Sequence, residues 1–174
     1  MNREDDKKVL SNIPRELLPD FILMHLRNMW SVDGLYYLGI EEKYGTEIAT
    51  EIDRKVWEIM GKIEAKRLKK LFNFKGDDVS ILAKYLRLSA WVLDLDDKEI
   101  IEDKYKLIIR NVKCRIQDTR LNKGLKEFAC KNVRWGFLKS FTKEINPDIE
   151  VRCTVCPPDD HDKNLWCEWI FIQK

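Results

Sequence analysis

The sequence predicts an α+β fold in which N-terminal helices pack on a C-terminal antiparallel sheet with one inserted helix. Three observations carry this expectation. Apolar residues recur at helical spacing up to about residue 92, and the period falls to two from residue 100. One further helical stretch separates the later strand-like segments. The length fits one domain spanning residues 1–174, with residues 1–11 a frayed polar arm.

Leu17, Leu18, Phe21, Ile22, His25 and Met29 predict a helix over residues 17–30, with Pro14 and Pro19 at its start and His25 packed in the core. A second helix is expected over residues 31–44, capped by Asp33, with Leu35, Tyr36 and Leu38 as its apolar face and Gly45 as its end. The third has the strongest periodicity: Thr46 caps it, Ile48, Ile52, Val56, Ile59 and Ile63 step by three or four, and it can run to Phe72 past Gly61. A fourth follows over residues 78–92.

Asp94, Asp96 and Asp97 mark the change of period. Residues 100–118 are rich in β-branched and aromatic types and read as strand, long enough to need a bulge or a break near Asn111. Val133, Phe137, Phe141 and Ile145 step by four and predict the inserted helix over residues 132–145, stopped by Asn146-Pro147. Residues 149–155 and 165–172 alternate and read as a hairpin joined by residues 157–164.

Charge narrows the function classes. Lys and Arg number 32 against 30 Asp and Glu, so the surface is mixed in sign, which argues against a dedicated nucleic-acid binder. The basic run over residues 62–75 reads as a solvated helix face. No apolar run approaches the roughly 18 residues of a spanning helix, so the expectation is a cytoplasmic protein with no membrane partner. In a reducing compartment the five cysteines are thiols or metal ligands rather than disulfides.

Four of those cysteines, Cys130, Cys153, Cys156 and Cys167, fall near the C-terminus with His161 among them. Thiolate and imidazole suit zinc, the candidate ion, either through Cys153, Cys156, His161 and Cys167 or with Cys130 drawn in to give four cysteines. Against a metal site, the segment lacks the glycines of a knuckle. Residues three apart on a regular strand also point to opposite faces, so Cys153 and Cys156 can share an ion only if the chain turns near Pro157-Pro158. Buried, inert thiols are the competing reading. Cys130 stands just before the inserted helix, beside Lys131 and one turn from Arg134, a setting that favours thiolate; with His161 as base it is a candidate nucleophile.

On a strand, Arg115, Gln117 and Thr119 share a face, and with Arg120 and Lys123 they offer donors to a carboxylate or phosphate. The six tryptophans are expected mostly in the core, a minority lining an apolar pocket.

Two stretches carry a resemblance. One runs from Trp30-Ser-Val-Asp-Gly-Leu-Tyr-Tyr through Glu41-Glu-Lys-Tyr-Gly45. The other joins Lys113-Cys-Arg-Ile-Gln and Phe128-Ala-Cys-Lys131 to the Cys-x-x-Cys-Pro-Pro-Asp and Trp-Cys-Glu-Trp tail. Together they resemble an uncharacterised archaeal and bacterial family, more distantly similar to L-2-amino-thiazoline-4-carboxylate hydrolases. The order of parts also resembles vinyl-4-reductase-type sensor domains, which implies a small hydrophobic ligand and, in some members, a structural zinc.

The leading expectation is a domain that binds a small anionic or partly apolar molecule, anchored by Arg115, Gln117, Arg120 and Lys123. A hydrolase using Cys130 and His161 and a zinc-knuckle-like nucleic-acid module are the alternatives. Ligand identity and oligomeric state are left open by the sequence.

Overall fold

The computed structural model describes residues 3–173, which form two compact units, one up to Tyr36 and the other from Tyr37 onward. Helix α1 (Arg3–Ser11) occupies the segment expected to be a frayed arm. Its acidic first turn and basic last turn complement the helix dipole, and none of its residues is buried. A 3-10 turn (Arg15–Leu17) leads into α2 (Leu18–Tyr44), a single 27-residue helix where the sequence suggests two. Asp33 is therefore an internal residue and not a cap. His25 is exposed against the Phe21 ring edge rather than in the core.

Gly45 ends α2 with φ +86° and is also the N-cap of α3 (Thr46–Phe72), so the expected Thr46 cap is not made. The Thr46 hydroxyl donates instead to Glu41 Oε1 at 2.9 Å. The aliphatic stripe of α3 is a second correction. Ile48, Ile52, Val56 and Ile59 are 40–62% exposed, whereas Ala49, Trp57, Gly61 and Ala65 are buried. Small residues let α3 approach α7 (Lys131–Ile145) closely: a Cβ on Gly61 would collide with the Phe137 carbonyl and the Ser140 hydroxyl.

Asp78 caps α4 (Val79–Arg87) by accepting from the Ile81 amide at 2.9 Å. Ser89 then caps the short α5 (Ala90–Asp94), so the single predicted helix over residues 78–92 is two.

The predicted long strand divides into β1 (Asp97–Glu102) and β2 (Lys106–Lys113), with the break at residues 103–105 rather than near Asn111. Its last part is the helix α6 (Arg115–Asn122), which Cys114 precedes as N-cap. The inserted helix α7 and the tail hairpin of β3 (Ile149–Val155) and β4 (Cys167–Gln173) lie where the sequence places them. The sheet order is β1-β2-β4-β3, every pair antiparallel, which puts β4 inside and β1 and β3 at the edges.

Register sorts the two faces. Leu107, Ile109 and Asn111 of β2 stand opposite Phe171, Trp169 and Cys167 of β4, and Val151 and Cys153 of β3 continue the same face. Trp169 and Phe171 are fully buried, as are Phe137 and Phe141 of α7. Each such side chain contributes about 1.5–3 kcal/mol of burial. The other face carries the cross-strand ion pairs Arg110–Glu99 and Arg110–Glu168. No helix among the described residues is long and apolar enough to cross a membrane.

Candidate functional site: a thiol cluster and two cavities

The ends of four elements bring the cysteines together. Cys130 is the N-cap of α7, Cys153 lies on β3, Cys156 follows that strand, and Cys167 opens β4 opposite Asn111 of β2. A register shift between Cys153 and Val155 bulges β3. That bulge, with the turn after Val155, resolves the conflict seen in the sequence, because it lets two cysteines three apart face one another. The Sγ atoms of Cys130 and Cys156 are 3.3 Å apart, and Cys153, paired with Trp169, stands on the same sheet face as Cys167.

Cys156 is the hub. Its thiol is pushed well up, foremost by the hydrogen bond with Cys130. Cys153 and Cys167 are lowered, foremost by the bond from Cys156, with the Lys131 cation aiding the first and Arg134 the second. Cys114 lies apart from the four; burial pushes its thiol up to about 12. As the thiols stand, no group of three or more His, Cys, Asp or Glu among the described residues has metal-ligating geometry.

The loop after β3 is fastened to the start of α7. Lys131 donates to both Asp159 oxygens at 2.9 and 2.6 Å, and the same carboxylate accepts from the Cys156 amide at 3.3 Å. The Lys131 amide donates to the Pro157 carbonyl at 2.9 Å. Asp159 is accordingly held below the usual carboxylate range, foremost by Lys131.

Arg115, Gln117 and Thr119 do not share a strand face, because they lie on α6. Gln117 is fully buried and grips both main-chain groups of Phe128: its Nε2 donates to the carbonyl and its Oε1 accepts from the amide, each at 2.8 Å. The same Nε2 is 3.9 Å from Cys130 Sγ. One turn on, Arg120 makes a two-pronged pair with Glu41 at 2.9 Å, donates to the Lys126 carbonyl, and lies over the Tyr37 ring. Arg115 pairs with Asp94 at 2.9 Å, and Lys123 is exposed beyond the helix end. The donors of Gln117 and Arg120 are thus used within the chain, and they position the segment that carries Cys130.

His161 stands outside the thiol cluster. Its ring contacts the Asp162 carbonyl at 3.0 Å and Glu127 at 3.4 Å, while Cys130 contacts Cys156 and Gln117, so neither is the other's partner. Burial works to lower the His161 pKa, but the Asp162 carbonyl and Glu127 outweigh it and raise the value.

Two cavities flank these elements. One of about 390 Å³ is lined by Glu127, Asp159, Asp160, His161, Lys163 and Trp166, an acid-rich set. The other, of about 440 Å³, lies between α7 and β3, and Trp135, Lys139, Lys143, Ile149, Val151 and Arg152 contribute to its wall. Trp135, Lys139 and Lys143 step by four along α7, and among the described residues neither lysine has an ion-pair partner. Asp148 and Glu150 also line this space, and Glu150 is taken up by Arg152 at 2.8 Å. The sequence held the signal for this face, two residues out of step with the buried series Val133, Phe137 and Phe141.

No curated protein matches the chain. A trafficking protein particle complex subunit 3 from Naegleria fowleri, solved covalently bound to palmitic acid, superposes with a TM-score of 0.50 at 12% identity, over 92% of this chain and 97% of that one. At that identity the likeness is one of fold. A family model matches residues 11–173, and the chain belongs to that family, a family of unknown function designated DUF6125.

Proposed function

We propose that the chain binds a small amphipathic anion, a carboxylate with an apolar or aromatic body, in the cavity between α7 and β3. The observation that carries this reading is the pair of unpartnered lysines, Lys139 and Lys143, beside a wall of Trp135, Ile149 and Val151. A lysine pair one turn apart offers charge-assisted hydrogen bonds to a carboxylate, and the indole and aliphatic surface takes the apolar body. The volume lies within the range of small-molecule sites, about 300–1,000 Å³. The palmitic acid of the fold neighbour agrees with an acyl ligand on this fold. The anchors thereby move from α6, where Arg115, Gln117 and Arg120 are occupied, to α7. Hydrolysis through Cys130 and His161 is the weaker reading, since the two are not partnered.

Titration calorimetry with decanoate tests it. Saturable binding is expected, weakened more than about tenfold in the K139E/K143E double variant by loss of two charge-assisted contacts. Lys123→Ala is expected to bind as the unaltered chain does. Absence of saturable binding across medium-chain and aromatic carboxylates, or equal binding by the double variant, overturns the proposal.

A further inference from the structure

We propose that Cys130 and Cys156 form a reversible dithiol–disulfide site, oxidised by a hydroperoxide. The site is independent of anion binding in the α7–β3 cavity. Its two Sγ atoms are 3.3 Å apart, although the residues lie 26 positions apart in the chain. A disulfide bond is about 2.05 Å long, so closing it asks for an approach of about 1.3 Å shared between two side chains. The main chain on both sides is already held. The Lys131 amide, next to Cys130, donates to the carbonyl of Pro157, next to Cys156, at 2.9 Å. The Cys156 amide donates to Asp159 at 3.3 Å, and the same carboxylate accepts from the Lys131 ammonium. Gln117 fixes Phe128 by two bonds, and its Nε2 stands 3.9 Å from Cys130 Sγ. Two thiols kept this near each other can pair without a search through the chain.

Exposure assigns the roles. Cys130 is half-buried and open to a small oxidant, whereas Cys156 is fully buried, so Cys130 attacks and Cys156 resolves. Cys130, its proton lost to solvent, attacks the terminal oxygen of the hydroperoxide. The O–O bond breaks and an alcohol leaves, or water where the oxidant is hydrogen peroxide. The Cys156 sulfur then attacks the sulfur of the Cys130 sulfenic acid, the S–O bond breaks, and water leaves with the Cys156 proton. The two thiols lose two electrons and the peroxide gains them. A dithiol reductant returns both thiols. The bond closes a ring over residues 130–156, which takes in all of α7 and all of β3. Oxidation therefore ties the start of the helix to the end of the strand.

The probe is hydrogen peroxide, added at one equivalent to fully reduced protein, followed by alkylation of the remaining thiols and peptide mapping by mass spectrometry. A chain two hydrogens lighter is expected, with a Cys130–Cys156 peptide as the main linked product, removed by dithiothreitol. Cys114→Ser is expected to give the same product. Cys156→Ser is expected to give none, and to leave a Cys130 sulfenic acid that dimedone traps. The map of the unaltered chain identifies the pair by itself, should a serine variant not fold. The proposal is overturned if all five thiols of the unaltered chain stay free, or if the main linked product joins another pair. It is equally overturned if folded Cys156→Ser protein gives no dimedone adduct at Cys130.

Discussion

Gln117 replaces a strand neighbour for Phe128, giving and accepting one hydrogen bond with its main chain from a fully buried position. A leucine there keeps most of the volume but removes both bonds. Unsatisfied groups cost about 1–3 kcal/mol each, so Gln117→Leu is expected to lower stability by about 2 kcal/mol or more in urea titration. Lys123→Ala, exposed at the end of α6, is expected to change stability by less than about 0.5 kcal/mol. Equal effects would remove the positioning role assigned to Gln117. Arg120 acts on the same segment from the next turn, and its guanidinium holds the Glu41 carboxyl below the usual range.

At the scale of elements, the α3–α7 crossing depends on the absence of a side chain at Gly61. In an exposed helix, glycine to alanine gains about 1 kcal/mol. Here the added methyl meets the Phe137 main chain, which cannot swing aside, and Gly61→Ala is expected to destabilise by about 1–3 kcal/mol. Gly136, where the nearest atom to an added Cβ is the Glu58 Cβ at 3.3 Å, is the matched control, with a smaller loss expected in the same denaturation series. The sequence could not display this. Its isoleucine stripe is the louder signal on α3, yet the contact is made by Trp57 and small residues, whose fit depends on Phe137, 76 residues on from Gly61. Elements whose pattern is local, such as α4, α7, β3 and β4, were legible. Helix α6 was not, because five alternating residues fit a strand as well as a helix. What decides it is the turn-spaced reach of Gln117 to Phe128 and Arg120 to Glu41. For the same reason the clustering of four cysteines could be posed from the sequence but not resolved: it depends on a bulge that no residue type announces.

For the whole molecule, three paired carboxylates make stability fall at acid pH, below the range in which half-buried Glu64, its carboxyl raised by desolvation, works the other way. Glu41, Asp78 and Asp159 are all held below their ordinary values, foremost by hydrogen bonds from Arg120, Ser80 and Lys131 respectively. Their contributions are present above the unfolded values of about 3.9–4.3 and are lost as pH falls through the lower folded values. Thermal melts are therefore expected to fall below about pH 4, with Glu41→Gln flattening part of that fall. A melting temperature that does not fall below about pH 4 would contradict the pairings. The bulge in β3 also sets how the chain tolerates change in length. Thr154, exposed within it, is the odd residue that restores parity between Cys153 and Cys156. Substitution there leaves the bulge intact, and deletion straightens the strand but leaves Cys153 and Cys156 two apart, still on one face. At this point of the molecule the parity of the spacing, and not the residue that supplies it, keeps the two cysteines on one side of the sheet.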